Sequence, residues 1–307
     1  MQKHVLIVSN SEDAHARVIQ KRLQEREVRV SRLDSDVFAK TEKQTLHIPA
    51  SALENTSTWT ASAVTIVWYR KVIFPDGEDS TNSFVRQELS GLFDAILTEY
   101  EHCRWVNPRT AIARAHAKVA QLPVAKRIGL KVPDTIITND LDALTVFAER
   151  HNKDIVAKPM RAQIVGTGNG TRVIGTRKLS REHYGAAVAY APCFAQERLL
   201  LRAEIRVVVF GTNVYAFRMT TSTRADDIKQ VPLRDIHHSP CQLSATVERQ
   251  LLELTRLYQL EFAAIDLAET DSGELVFLEV NPNGQWLWLQ FATGVNLADP
   301  FIDFLCA

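Results

Sequence analysis

Cysteine is scarce in this chain of 307 residues: four, at Cys103, Cys193, Cys241 and Cys306, far apart and without C-x-x-C spacing. That scatter argues against a disulfide framework and a zinc site, and suits a reduced, cytoplasmic setting. Long apolar runs are lacking as well. No stretch approaches the roughly 18 residues that cross a bilayer, and MQKHVLIVSN is too short in apolar residues, and has no small-residue cleavage pattern, for a signal peptide. Charge of one sign is missing: 36 Lys plus Arg balance 36 Asp plus Glu, so no global field favours nucleic acid or an anionic membrane, and any anion site has to be local. There is no internal repeat, no low-complexity tract and no Ser-His-Asp or Cys-His arrangement. His237-His238, in a polar stretch from Thr220 to Pro240 that reads as a loop, are expected to be solvated.

What remains is ample apolar material, 46% of residues, in a chain long enough for two or three compact units. His4–Ser9, a helical pattern from Asp13 to Arg26 and Val28–Leu33 form a βαβ opening. Val64–Tyr69 is a third buried strand, and Thr81–Tyr100 has one apolar helical stripe. The segment Trp105-Val106-Asn107-Pro108 interrupts the pattern and marks a boundary. A helix from Thr110 to Ile128 follows, then strands at Thr135–Thr138 and Ile155–Lys158 around a helix capped at Asn139-Asp140. After Phe194–Glu197 come two hairpins, Glu204–Phe210 with Val214–Met219 and Phe262–Glu269 with Leu275–Val280, separated by a helix from Ser244 to Gln259. A last helix lies within Asn296–Leu305.

In the second hairpin, a two-residue turn at Ser272-Gly273 pairs Asp271 with Glu274 and brings Asp266 opposite Glu279. One face is then Ala264, Asp266, Ala268, Phe277, Glu279 and Asn281; the other is apolar core. Opposed carboxylates repel, and a divalent cation removes the penalty. Two carboxylates and an amide oxygen are hard donors suited to Mg²⁺. A solvent-facing hairpin one residue out of this register is the alternative.

Lys158 ends a buried strand just before a loop with Gly166, Gly168 and Gly170, where backbone amides can approach phosphates. The loop matches neither G-x-x-x-x-G-K-[ST] nor G-x-G-x-x-G, and a plain surface turn fits it too. Lys118 reads equally as a solvated helix lysine, and Arg206 and Arg218 as exposed strand residues. Trp286 and Trp288 fit a peptide groove or simple core.

Taken in order, Lys118, Lys158 with the glycine loop, Gln196-Glu197-Arg198-Leu199, Glu204-Ile205-Arg206, and Asp266 with Glu279-x-Asn281 resemble the ATP-grasp ligases. The Trp68-Tyr69-Arg70 triplet, Trp105-Val106-Asn107-Pro108, Gln121-Leu122, Val132-Pro133-Asp134-Thr135 and the run from Phe277 to Trp286 resemble one subgroup, the microviridin-type peptide ligases or graspetide synthetases, along nearly the whole chain. The resemblance implies an α/β and α+β architecture, an ATP-grasp fold: an N-terminal α/β domain (1–104), a central lobe with the glycine loop (105–195) and a C-terminal lobe with the metal site (196–307). It implies ATP and two Mg²⁺ ions, with phosphates on Lys118 and Lys158, adenine along Gln196 to Leu199, ribose at Glu204, and metal on Asp266, Glu279 and Asn281. Arg206 and Lys229 are the implied catalytic cations, with Arg218, Asp227 and Trp286 toward substrate. The subgroup's usual Asp-Trp-Arg triplet is Asp227-Ile228-Lys229 here, which keeps positive charge but loses arginine's planar fork and the indole.

The implied chemistry phosphorylates a carboxylate side chain of a ribosomal precursor peptide, and a hydroxyl or amine then closes an ester or amide ring. Expected partners are a precursor peptide with a leader segment and a second copy of the chain, with no nucleic acid and no membrane. Two other readings stay open: a ligase adding a free amino acid or amine to a carboxylate, and a nucleotide-binding regulator without catalysis.

Overall fold

The computed structural model describes residues 3–41, 43–48, 56–57, 63–74, 80–160, 164–167, 170–173, 175–221 and 231–307. Contacts divide the chain into two compact units, Met1–Thr110 with Asn296–Ala307, and Ala111–Val295.

The first unit is built on a parallel sheet in the order Arg29–Asp34, His4–Ser9, Ile66–Tyr69, Arg104–Val106. His4–Ser9 is buried at every position, as a strand covered on both faces has to be. One face packs Leu6, Val8, Leu33, Val67, Phe93 and Ile96 into a core. The fourth strand, Arg104–Val106, occupies part of the segment expected to break the pattern, so the interruption begins only at Asn107. From sequence, the closing helix, Ala298–Leu305, belongs to the last lobe. Its contacts group it with this unit instead: Asp299 and Asp303 pair with Arg22 and Arg26 of the helix Ala14–Glu25, and Phe301 packs on Trp68 at 4.8 Å.

Arg70, just past the third strand, turns inward. Its Nε lies 2.7 Å from Asp13 Oδ2, with both side chains almost wholly buried, and its guanidinium sits over the Trp68 ring. Asp13 also caps the helix Ala14–Glu25, accepting from His15 N–H at 3.0 Å and from Ser9 Oγ at 2.7 Å. Burial alone would raise the Asp13 pKa, but the Arg70 charge and the hydrogen bonds from Arg70 and Ser9 hold it well below the usual carboxylate range. Burial, then the Arg70 charge, push His15 down to about 3.

The second unit carries antiparallel sheets of four and five strands, besides a two-stranded hairpin. The smaller runs Arg177–Lys178, Ile155–Lys158, Cys193–Glu197, Thr135–Thr138; the larger runs Ile236–Cys241, Asn213–Thr221, Leu201–Phe210, Phe262–Thr270, Leu275–Asn281. The helix Ala245–Tyr258, capped by Ser244 Oγ, packs Leu251, Leu254 and Tyr258 into the core on one side of the larger sheet. His237 and His238 lie on its edge strand rather than in a loop, and the His238 ring packs against Trp288 at 5.1 Å. The polar stretch concealed that strand because an edge needs few apolar residues. The single helix expected from Thr110 to Ile128 is two, Arg109–Ala115 and Lys118–Arg127, so Lys118 opens a helix instead of lying within one.

Candidate active site

The hairpin does bring Asp266 opposite Glu279, by a different route from the one its turn residues suggest. Thr270 N–H donates to the Glu274 carbonyl, so the loop has three residues, Asp271, Ser272 and Gly273, and Gly273 adopts φ 81°. That puts the strands one residue out of the expected register: Leu267 faces Phe277. A bulge at Leu278 then restores it before the carboxylates. The bulge also reassigns a side chain. Phe277, expected beside the carboxylates, packs in the core with Leu267, Ile265 and Val280.

Across three neighbouring strands the register places Arg206, Asp266 and Glu279 in one row. Arg206 Nη1 is 2.6 Å from Asp266 Oδ1, and Asp266 is 3% exposed. Lys118 Nζ is 2.6 Å from Glu279 Oε2, and Asn281 Nδ2 donates to Glu279 Oε1 at 3.1 Å. Two carboxylates therefore stand beside two cations, and the repulsion expected of a bare pair is already offset. Alternation along Leu201–Phe210 sets buried Glu204 on the same face as Arg206. The donor set fits a hard divalent cation. Among the described residues no three His, Cys, Asp or Glu side chains form a metal cage by themselves, so further ligands would come from phosphate oxygens and water.

Two residues quoted only as parts of motifs prove to shape this row. Gln121, fully buried, donates through Nε2 to the carbonyls of Ala115 (2.6 Å) and Val280 (2.9 Å) and accepts from Val280 N–H at 2.8 Å. Its signal was the Lys118-x-x-Gln121 spacing, which puts both on one side of a helix. Gly284 closes a turn back to the Asn281 carbonyl at 3.3 Å, and a Cβ there would lie 2.3 Å from Ala264 Cβ in the adjoining strand. Gly284→Ala should therefore cost about 1–3 kcal/mol through overpacking and displace Asn281. Urea unfolding and the Mg²⁺ dependence of turnover would report the two effects separately.

In the smaller sheet, Lys158 ends its strand opposite Phe194, and Gln196 is buried with Nε2 on Thr135 Oγ1 at 2.9 Å. The Glu197 carboxylate accepts from Asp134 N–H at 2.7 Å, and Arg198 pairs with Asp154 at 3.4 Å. Both side chains are thus committed locally, while Leu199 is half-buried. The glycine loop is a two-stranded hairpin, Ile164–Thr167 with Gly170–Val173, which places Gly166 opposite Thr171 and Gly170 opposite Thr167. Its β-branched residues account for the strands. Gly168 lies outside the described residues, as do Asp227 and Lys229.

Two expected substrate residues are elsewhere. Arg218 faces Ile205 of the core cluster across its strand pair, so it projects from the opposite side of the sheet to Arg206, where Glu269 holds it at 2.8 Å. Trp286 has no exposed surface and packs edge-to-face on Phe210 at 5.3 Å, which makes it core rather than groove.

The macrocyclase MdnC from Microcystis aeruginosa, crystallised with its precursor peptide MdnA, superposes with a TM-score of 0.83 at 25% identity, over 98% of this chain and 99% of that one. An ATP-grasp ligase from Chryseobacterium gregarium, described as RiPP-associated and in complex with ADP and a leader and core peptide, gives 0.85 at 21% identity over 99% and 96%. In sequence, a tetrahydromethanopterin:alpha-L-glutamate ligase from Methanocaldococcus jannaschii is 24% identical over 225 residues, 69% of this chain and 73% of the relative. The RimK-like ATP-grasp domain model matches residues 113–305, which include every residue of the carboxylate row, and the chain belongs to that family.

Proposed function

We propose that this ATP-grasp ligase activates Asp or Glu side chains of a ribosomal precursor peptide as acyl phosphates and closes them onto a hydroxyl or amine as ester or amide rings. The observation that carries the ATP chemistry is the row of Arg206, Asp266, Glu279 and Lys118, in which each carboxylate is held by a cation that can exchange it for a phosphate. The similarity over almost the full length to a peptide-bound macrocyclase and to a peptide-bound RiPP-associated ligase supports the peptide substrate.

Asp266, Glu279 and Asn281 would hold Mg²⁺, two ions in the fullest reading, and the metal's contribution is to neutralise phosphate charge. Lys118 leaves Glu279 for a phosphate oxygen when nucleotide binds, and Lys158 with the glycine hairpin flanks the same phosphates. Because the Glu197 and Arg198 side chains are engaged, adenine contact in that segment rests on main chain and Leu199. Glu204 serves the ribose. Arg206, and Lys229 of the altered triplet, offset charge as the γ-phosphoryl group moves to the substrate carboxylate. The acyl phosphate is then attacked, releasing phosphate. No protein nucleophile is needed. The four unpaired cysteines fit a cytoplasmic enzyme, and among the described residues no helix is long and apolar enough to cross a membrane.

Mass spectrometry of a Thr- and acid-rich precursor peptide incubated with enzyme and Mg-ATP should show loss of one water per ring. A second reading, addition of a free amino acid to a carboxylate, is favoured by the glutamate-ligase relative and predicts a mass gain of one residue instead. ATP turnover with neither mass change on any acidic peptide would defeat both.

A further inference from the structure

The strand Leu275–Asn281 is the last in its sheet. Its outer edge should present backbone groups to solvent, yet the Val280 N–H and C=O are both taken by one buried side-chain amide, that of Gln121. Val280 lies between Glu279 and Asn281, so its N–H is in the peptide group shared with Glu279 and its C=O in the one shared with Asn281. The same amide reaches the Ala115 carbonyl, at the last residue of the preceding helix. Three residues before Gln121, Lys118 places its Nζ on Glu279.

We propose that Gln121 is a positioning residue for the metal and phosphate site: its amide acts as a one-residue strand beside Val280 and fixes Glu279 and Asn281 in register with Lys118. A leucine would fill the same volume, and burying an amide is unfavourable unless all its bonds are made. Here both ends are satisfied, on the two successive peptide groups that join Glu279 and Asn281 to Val280. The group is also uncharged, so it clamps beside a carboxylate without altering the charge balance of the row.

The inference rests on reading Glu279 and Asn281 as metal ligands, and its test separates the two ideas. ADP affinity is measured by calorimetry with and without Mn²⁺, alongside thermal melting, for the wild type, Gln121→Met and Glu279→Gln. General loosening of the fold lowers both affinities alike and leaves their ratio unchanged, whereas a lost ligand register lowers the Mn²⁺-dependent gain. In Gln121→Met that gain should fall about tenfold, as for the loss of other groups that orient metal ligands. A wild-type ratio in Gln121→Met, with a reduced ratio in Glu279→Gln, would leave Gln121 purely structural. An unchanged ratio in Glu279→Gln would overturn the metal reading and the positioning role with it. Should Gln121→Met fail to fold, Gln121→Asn, one methylene too short to reach Val280 but able to accept water, is read by the same ratio.

Discussion

Glu279→Gln should leave a folded protein whose ATP-dependent turnover falls by about 10²–10³-fold, the scale of loss when one preorganised electrostatic contact at a reacting centre is removed. The substitution keeps the shape and still lets Asn281 donate to an amide oxygen. It frees Lys118, whose side chain is 28% exposed and can turn to water at little cost. Asp266→Asn is the less clean experiment. An unoccupied pair of facing carboxylates would be relieved by losing either charge, and both substitutions would then be equally mild. Arg206 changes that expectation: it is nearly buried against Asp266, and neutralising Asp266 leaves a poorly solvated guanidinium without its counter-charge. Asp266→Asn should therefore lose both turnover and stability, Glu279→Gln turnover alone. ADP release and melting curves on the two variants decide it; wild-type turnover in Glu279→Gln would show that the hairpin holds no essential metal.

The largest expected effect on stability lies in the first unit. Arg70→Ala strips a buried carboxylate of its cation and should cost about 3–5 kcal/mol, the range seen when one member of a buried ion pair is removed. The neighbouring histidine gives the loss a pH signature. His15 titrates near 3 in the folded state, against an ordinary value of 6.5, so the unfolded chain binds the extra proton. Stability of this unit should accordingly be level above pH 6.5 and decline as pH falls from there toward 3. The depressed Asp13 carboxyl adds a further decline below its ordinary value of 3.8. Because the Arg70 charge helps to push His15 down, its removal lets the imidazole, 3.7 Å from Asp13, take a proton and stand in for it. The variant should be less stable throughout but flatter between pH 6.5 and 3. Denaturant titrations across that range would measure both, and an unchanged slope would show that Arg70 does not govern His15.

That buried cluster could not be read from the sequence, although Trp68-Tyr69-Arg70 stood out as a motif. An arginine after an apolar strand carries no mark of the side to which it will turn, and its partner is 57 residues away. Locally periodic elements were legible: His4–Ser9, Thr135–Thr138 and Ile155–Lys158 have the expected limits, and Asp140 and Ser244 cap the expected helices. Where polarity and periodicity disagree, the reading failed. Ile236–Cys241 is polar because it is an edge, and Ile164–Thr167 with Gly170–Val173 was hidden by its glycines. At the site, the Asp266 and Glu279 pairing emerged from two deviations that cancel, a turn one residue longer than assumed and a bulge. Phe277, lying between them, was assigned to the wrong face. Gln121 stood in a motif, but its role was not legible: glutamine on a helix is ordinarily solvated, and only tertiary structure brings a sheet edge to it.

The bulge leaves the strand with a surplus residue. Reading back from the site, Asn281, Val280 and Glu279 alternate outward, inward, outward, and Phe277 faces inward again once Leu278 is passed over. With Leu278 removed, the remaining residues keep perfect alternation, and Glu279 still meets Asp266 across an unbroken ladder. A deletion elsewhere between the loop and Asn281 closes the bulge only by turning the residues between the cut and Leu278 to the other face. Loss of a residue from this strand is thus absorbed with least rearrangement at the bulge, where Leu278 can go without any other side chain changing face.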